Sequence, residues 1–171
     1  MHGGNQLLPF FRNKNFHFIK GDITVKKDLA KAAKGKDLII HLAAIVGFPA
    51  CKNNPELAVN VNIHGTANLI EVTNKEQKIL YGSTGSNYGK VTDICTEDTP
   101  LNPLSLYGET KTEAEKLLIK RGNVIAYRFA TAFGVSPRLR LDLLVNDFAN
   151  KCHRDGYLVV YEKHFMRTFI H

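Results

Sequence analysis

A tyrosine and a lysine four residues apart open the stretch YGETKTEAEKL, residues 107–117. At helical spacing, Tyr107 and Lys111 lie on the same side as the apolar residues Ala114 and Leu118. The other charged residues of this predicted helix lie on a different, solvated face: Glu109, Glu113, Lys116 and Lys120. An ammonium on an apolar face is costly unless something requires it. Tyr107 and Lys111 are therefore the first candidates for chemistry.

Hydroxyl side chains cluster upstream of this helix, in the stretch YGSTGSNYG at residues 81–89. Ser83, Thr84 and Ser86 follow a predicted strand at its carboxyl end, which is where parallel sheets bind ligands. The alternative is an ordinary polar turn, since glycine, serine and asparagine are common in turns. The tyrosine and lysine that follow along the chain favour a site.

The composition limits the class of protein. With 44% hydrophobic and 23% charged residues, the 171-residue chain reads as globular, and no apolar run is long enough to span a bilayer. Three widely spaced cysteines indicate a cytoplasmic protein without a disulfide framework or a metal site. The net charge of +7 comes without an RNA-binding motif or zinc finger, so we expect an anionic small ligand and no nucleic acid.

Strand and helix patterns alternate along the chain. Apolar runs predict strands at residues 15–23, 37–44, 77–84, 123–129 and 157–162. Helical patterns and caps predict helices at residues 26–33, 54–74, 104–121 and about 141–152. This alternation predicts an α/β fold with a doubly wound parallel sheet covered on both faces. The glycines of MHGG, residues 1–4, lack the preceding strand and the spacing of a phosphate-binding turn.

Seven short motifs occur in one order along the chain: GDI (21–23), HLAA (41–44), NIHGT (62–66), YGSTGSNYG (81–89), YGETK (107–111), RFATAFG (128–134) and RTFIH (167–171). As an ordered set they resemble extended short-chain dehydrogenase/reductases of the NAD-dependent sugar-nucleotide epimerase/dehydratase family. The resemblance covers essentially the whole chain. It implies a partial Rossmann-type NAD-binding domain at residues 1–134 and part of a substrate-binding region at 135–171.

The resemblance also implies catalytic roles. Tyr107 is expected to remove a proton from a sugar hydroxyl, and Lys111 to lower the pKa of Tyr107 and hold the nicotinamide ribose. Thr84 is expected to hold the reacting oxygen and to stabilise charge there. The competing interpretation is a tyrosine that packs on the stem of a lysine whose ammonium reaches solvent.

The resemblance further assigns binding residues. Asp22 is expected to bind the adenine amine with Ile23 beside the ring, although Asp22 could instead cap a loop. The remaining expected cofactor contacts are Leu42, Ala43, Ala44 and Asn62, besides Tyr107 and Lys111. The alanines read alternatively as core, and Asn62 as a solvent-facing residue. Asn146 and Arg167 are expected to contact the diphosphate of the nucleotide sugar. Thr84 is also an expected substrate contact, through the reacting sugar oxygen.

The function that the resemblance implies is a sugar-nucleotide 4-epimerase acting through a transient keto sugar. Members that dehydrate the sugar carry Asp-Glu after the catalytic threonine, and Gly85-Ser86 at that place disfavours a 4,6-dehydratase. A sugar-nucleotide reductase or dehydrogenase stays an alternative, and so does an inactive scaffold or RNA-binding relative. NAD is expected rather than NADP, and a homodimer through helices 54–74 and 104–121 is expected from the family.

The family pattern begins upstream of Met1 with a first strand and a glycine-rich turn, and it continues beyond residue 171. We therefore expect these residues to be an internal piece of a longer enzyme, inactive alone. We also expect it to be poorly stable, because a missing central strand leaves sheet edges unpaired.

Overall fold

The computed structural model describes residues 4–171, so residues 1–3, with the first glycine of MHGG, lie outside the description. The chain divides into two compact units. One is Ile19–Phe129, and the other combines the segment up to Phe18 with Ala130–His171. The expected division into a cofactor-binding and a substrate-binding region after residue 134 stays a prediction.

The unit Ile19–Phe129 contains a three-stranded parallel sheet in the order β1-β2-β3. The strands are β1 (Leu38–His41), β2 (Lys78–Thr84) and β3 (Val124–Phe129). The register places Leu80 of β2 beside both Ile40 and Ile125. Helices alternate with these strands, which confirms the predicted α/β class with a parallel sheet.

The helices of this unit agree with the predicted positions in most places. They are α1 (Lys26–Ala33), α2 (Phe48–Asn53), α3 (Pro55–Val59), α4 (Gly65–Val72) and α5 (Leu106–Arg121). The predicted helix 54–74 is interrupted by a π-helical segment, Asn60–His64, between α3 and α4. Such segments are often found at functional sites.

The core lies where α4 and α5 pack on one face of the sheet. Leu69 of α4 packs with Ile79 and Tyr81 of β2 and with Ala114 and Leu118 of α5, and each is at most 4% exposed. Successive residues of a strand point to opposite faces, so Ile79 and Tyr81 face these helices together. This packing fixes α5 against β2.

The opposite face of the sheet is not covered as expected. Leu38 and Ile40 of β1 and Tyr127 and Phe129 of β3 are 44–62% exposed. Among the described residues, helices therefore cover one face of the sheet, and the covering of the second face stays a prediction. The strands carry apolar side chains on both faces. The strand sequences alone do not show which segments of the chain form the helices that cover each face.

Two predicted strands are also wrong. Residues 16–22 and 157–162 are outside any strand of the described chain. An apolar run becomes a strand only when a second strand offers it hydrogen-bond partners, and periodicity does not report on partners. In the second unit, the strands are instead β4 (Thr131–Ala132) and β5 (Phe169–Ile170), which pair in parallel.

The second unit also contains a 3₁₀ segment, Gly4–Arg12, and the helix α6 (Leu144–Asp155), close to the predicted 141–152. Phe133 packs near Phe169 and His171, with ring centroids 6.5 Å and 5.3 Å away. In the described chain, no helix is both long enough and apolar enough to cross a membrane.

Candidate active site

Lys111 lies on the buried side of α5, as its helical spacing predicts. The residue is 3% exposed, and its Nζ lies 4.1 Å from the centroid of the Tyr81 ring. A desolvated cation over an aromatic face gains about 2 kcal/mol, which offsets part of the cost of removing an ammonium from water. The structure therefore holds a buried cation at the centre of the helix-covered face.

The electrostatic surroundings of Lys111 act in opposite directions. Burial lowers the pKa of Lys111 from 10.5 to about 8, while the carboxylate of Glu115 raises it. Burial and the charge of Lys111 lower the pKa of His41 from 6.5 to about 4. At neutral pH the lysine is therefore charged and the neighbouring histidine is neutral.

Tyr107 is half-buried in the first turn of α5, one helical turn before Lys111. Burial raises the pKa of Tyr81, and the charge of an ionised Tyr107 raises it further, which brings the Tyr107 phenol into the electrostatic surroundings of Tyr81. Tyr107 and Lys111 thus share Tyr81 as a neighbour. The structure brings these two predicted catalytic residues to one side of the helix.

Thr84 ends β2 and is 8% exposed. Its Oγ1 accepts a hydrogen bond from the backbone N–H of Ser86 at 3.2 Å, which caps the 3₁₀ turn Gly85–Tyr88. That bond does not use the hydroxyl hydrogen of Thr84, which is therefore available to a ligand oxygen. The residue lies at the sheet edge where its role was predicted.

The turn after Thr84 packs against the first turn of α5. A Cβ atom on Gly108 would lie 3.1 Å from Ser86 O and 2.9 Å from Pro103 Cβ, so only glycine permits this approach. Gly108 directly follows Tyr107. The close packing therefore brings the segment that carries Thr84 next to the segment that carries Tyr107.

The predicted adenine contact, Asp22, is exposed and organises a turn. Its Oδ1 accepts hydrogen bonds from Thr24 N and Thr24 Oγ1, both at 2.8 Å, and these bonds lower its pKa. The loop-capping role considered from the sequence is thus present, and the adenine contact stays a prediction. Ile23 packs closely against Gly65 at the start of α4, where an added Cβ would lie 3.0 Å from Ile23 Cγ2.

The residues after β1 lie at the same carboxyl edge of the sheet. Leu42 and Ala43 are exposed, and Ala44 is half-buried, which disagrees with the alternative that the alanines are core. The small side chains of the two alanines cover little of the backbone at this position. Thr84 ends β2 at this same edge, where parallel sheets bind ligands, and the cofactor contacts expected of Leu42, Ala43 and Ala44 stay predictions.

Asn62 lies in the π-helical segment and is 1% exposed, so the alternative of a solvent-facing side chain is wrong. Its Oδ1 accepts from Ile45 N at 2.8 Å, and its Nδ2 donates to Ile45 O at 3.1 Å and Thr110 Oγ1 at 2.9 Å. The amide therefore ties the segment after β1 to α5. Its predicted contact with the cofactor stays a prediction.

The predicted substrate contacts belong to the second unit. Asn146 Oδ1 accepts from Gly134 N at 3.2 Å, and its Nδ2 donates to Arg140 O at 3.0 Å. Asn146 thus shapes its own loop, and Arg167 is exposed just before β5. Because the two residues are in the other compact unit, their contribution to the site stays a prediction.

Sequence reasoning missed a polar cluster next to Thr84 and Lys111, formed by buried Ser83, Asn87 and Glu115 and half-buried Arg128. It also missed that His41 is buried beneath the site, with Nε2 2.9 Å from Thr66 Oγ1. Since Thr66 donates its hydrogen to Asn62 O, His41 must donate through Nε2–H. One available signal was that Glu115 follows Lys111 by four residues, on the same helical face.

No group of three or more His, Cys, Asp and Glu side chains within residues 4–171 is arranged to hold a metal ion. The cysteines Cys51, Cys95 and Cys152 are unpaired with one another.

Comparison with known proteins connects this geometry to a family. Residues 4–171 match the NAD dependent epimerase/dehydratase family. The uncharacterised UDP-glucose epimerase YtcB of Bacillus subtilis is 37% identical over 80% of this chain and 44% of its own length. The inverting UDP-N-acetylglucosamine 4,6-dehydratase of Campylobacter jejuni is 29% identical over 77% of this chain and 36% of its own length.

Among solved structures, the UDP-glucuronic acid 4-epimerase of Bacillus cereus in complex with UDP-glucuronic acid and NAD is similar, with a TM-score of 0.77 and 30% identity. The match covers 87% of this chain and 49% of that protein. The chain therefore spans about half the length of the relatives it matches. It belongs to the NAD-dependent epimerase/dehydratase family of enzymes.

Proposed function

We propose that this chain carries part of the active site of a sugar-nucleotide 4-epimerase that uses NAD and acts on a nucleoside-diphosphate sugar. The observation that carries the proposal is the buried ammonium of Lys111, one helical turn from Tyr107 and on the face that contacts the end of β2. A buried cation at this position stabilises the phenolate that forms when the neighbouring tyrosine loses its proton.

The chemistry follows from the three side chains. Tyr107 accepts the proton of a sugar hydroxyl, and the Lys111 charge stabilises the resulting phenolate. Thr84 donates its hydroxyl hydrogen to the same sugar oxygen and holds it in place. Bound NAD supplies a hydride acceptor. After the keto sugar has turned over, Tyr107 returns the proton to the sugar oxygen, while the hydride would come back to the opposite face of the same carbon.

The segment after Thr84 argues against dehydration. Elimination of a sugar hydroxyl needs a side chain that can donate a proton to the leaving oxygen. Gly85 and Ser86 supply no carboxyl group, and the backbone N–H of Ser86 donates a hydrogen bond to Thr84 Oγ1. Epimerisation requires no such acid, which is why it is preferred here over the 4,6-dehydratase activity of one relative.

A homodimer through helices 54–74 and 104–121 and a cytoplasmic location are also part of the proposal. Exposed apolar side chains on these helices, Leu57 at 41% and Ile119 at 55%, support the dimer. Sedimentation of the full-length protein checks it.

The test uses the full-length protein with UDP-glucose and measures formation of the 4-epimer. We expect Tyr107→Phe to lower kcat by about 10²- to 10⁴-fold, because the general base is lost. Lys111→Met is expected to lower kcat as well, with its largest effect at neutral pH.

Matched controls are Tyr161→Phe and Lys116→Met, which change exposed residues of the same types. Both are expected to keep wild-type turnover. Unchanged turnover in Tyr107→Phe would overturn the proposed mechanism. Turnover by wild type only when reduced cofactor is added, with stoichiometric oxidation, would identify a reductase instead.

A further inference from the structure

Glu115 connects the two segments that carry the catalytic candidates. Its Oε2 accepts a hydrogen bond from Ser83 Oγ at 2.5 Å and one from Asn87 Nδ2 at 3.0 Å. Ser83 precedes Thr84 by one residue, and Asn87 follows it by three. A single carboxylate oxygen on α5 therefore holds both sides of the turn that presents Thr84.

The same carboxylate determines how the Asn87 amide is oriented. Asn87 is fully buried, and its Nδ2 donates to both Glu115 Oε2 and Ser83 Oγ. Rotation of the amide would place Oδ1 against a carboxylate oxygen, which is repulsive. In the part of the chain that the structure describes, Oδ1 of Asn87 has no hydrogen-bond partner. A buried acceptor left without a partner is costly, so the bonds of Nδ2 must outweigh that cost.

The other oxygen of Glu115 pairs with Arg128 on β3. Oε1 accepts from Arg128 Nε at 3.0 Å and from Nη2 at 2.7 Å, and the side chains of Glu115 and Arg128 are 6% and 18% exposed. Arg128 Nη1 also donates to Tyr88 OH at 3.0 Å and Glu97 O at 3.1 Å. The Glu115 carboxylate is thus paired with a cation in the interior, where an unpaired charge would be too expensive.

Glu115 also lies one helical turn beyond Lys111, on the same side of α5. The ionisable groups that interact with Lys111 are His41 of β1, Tyr81 of β2 and Glu115 of α5, with Tyr107 one helical turn before it and Arg128 of β3 paired with Glu115. Of these, Glu115 is the anion, and its charge favours protonated Lys111.

We propose that Glu115, held by Arg128, is a positioning residue that fixes the Thr84 turn against α5 and keeps Lys111 in its protonated form. This inference rests on the proposed function for its kinetic consequences. It assigns one carboxylate two tasks, one geometric and one electrostatic, and the two can be separated by substitution.

The test compares Glu115→Gln with Glu115→Asp in the full-length protein. Glutamine keeps the shape and removes the charge, whereas aspartate keeps the charge and shortens the side chain. Misplacement of a catalytic group by about 1 Å can cost roughly 10²-fold in rate. We therefore expect both variants to lower kcat by about 10- to 100-fold, with KM for the sugar nucleotide changed by about 2-fold or less.

The pH profile separates the two tasks. Without the Glu115 charge, Lys111 loses its proton at lower pH. The alkaline limb of the pH profile of kcat, where kcat falls, is therefore expected to move toward lower pH in Glu115→Gln. Glu115→Asp is expected to keep the wild-type limb. Glu113→Gln removes an exposed carboxylate two residues earlier on α5 and serves as the matched control, with both kcat and the limb unchanged.

Two further measurements keep the test decisive. If Glu115→Gln does not fold, Glu115→Gln combined with Arg128→Met removes both buried charges, and the limb is expected to move in the same direction. The pKa of Lys111, followed by NMR of ¹³C-labelled lysine without substrate, is expected to fall in Glu115→Gln.

The outcomes distinguish the two proposals. A wild-type protein without epimerase activity would overturn the proposed function, while a lower Lys111 pKa in Glu115→Gln would still support the electrostatic task of Glu115. An unmoved limb and an unchanged Lys111 pKa in Glu115→Gln would overturn the inference, whatever the loss of kcat.

Discussion

The two compact units differ in how their side chains are held. In Ile19–Phe129, residues such as Tyr81, Ala114 and Leu118 are at most 1% exposed, and the candidate catalytic residues pack among them. In the described residues of the other unit, no side chain is buried to that degree, and α6 has no buried residue. The candidate catalytic residues are thus on the well-buried unit, and the predicted substrate contacts are on the more exposed one.

The largest expected effect on stability comes from shortening a buried leucine in one unit and comparing it with an exposed leucine in the other. Leu118→Ala in α5 creates a cavity in the core and is expected to lower the free energy of unfolding by about 2–5 kcal/mol. Leu144→Ala in α6, where the leucine is 40% exposed, is expected to cost about 0.5 kcal/mol. Urea denaturation, with hydrogen exchange to assign each change to its unit, measures both. Equal costs would show that the two units are equally well packed.

The second test uses the pH dependence of stability. The pKa of Lys111 is 10.5 in the unfolded chain and about 8 in the folded one, so between these values the unfolded state binds more protons. Stability is therefore expected to rise from pH 8 to 10.5, by up to about 3 kcal/mol. Lys111→Met removes this rise and is expected to be more stable than wild type at pH 7.

The control for that experiment lies in the more exposed unit. Lys151 of α6 is exposed and pairs with Asp147 at 2.8 Å. Lys151→Met leaves Lys111 in place and is expected to keep the wild-type rise between pH 8 and 10.5. If Lys151→Met lost the increase in stability between pH 8 and 10.5, the assignment of that increase to the buried Lys111 would be contradicted.

The smallest test concerns the start of α5. Ser105 Oγ accepts from Gly108 N at 3.2 Å and caps the helix that carries Tyr107 and Lys111. Ser105→Ala is expected to cost about 1 kcal/mol of stability and to increase hydrogen exchange in the first turn of α5. Ser136→Ala, at an exposed serine of the other unit, is expected to have no measurable effect.

The sequence predicted the parts of the fold that depend on local pattern and on family motifs. The positions of α1, β2 and α5 and the inward side of Lys111 follow from periodicity and caps. The predicted strands at 15–23 and 157–162 failed because a strand also needs a partner along its edge. The contact between the Thr84 turn and α5 follows from the missing side chain of Gly108, which no periodicity reports.

The role of Glu115 could not be predicted from its own helix. Its position four residues after Lys111 was visible, but its partners come from β2, the following turn and β3. A charged residue at helical spacing is usually solvated, and only the fold shows that Arg128 faces it. Buried polar groups are recognised from their partners, and partners distant in sequence require the tertiary structure.

The contact between Ile23 and Gly65 has a consequence for the turn that carries Asp22. The turn with Asp22 can approach the helix only as closely as a bare hydrogen on Gly65 allows, since a methyl group there would meet Ile23 Cγ2 at 3.0 Å. The distance between this turn and α4 is thus set by side-chain bulk and not by polarity. A change as small as one carbon at position 65 would widen it, even though every hydrogen-bonding group around Asp22 stayed the same.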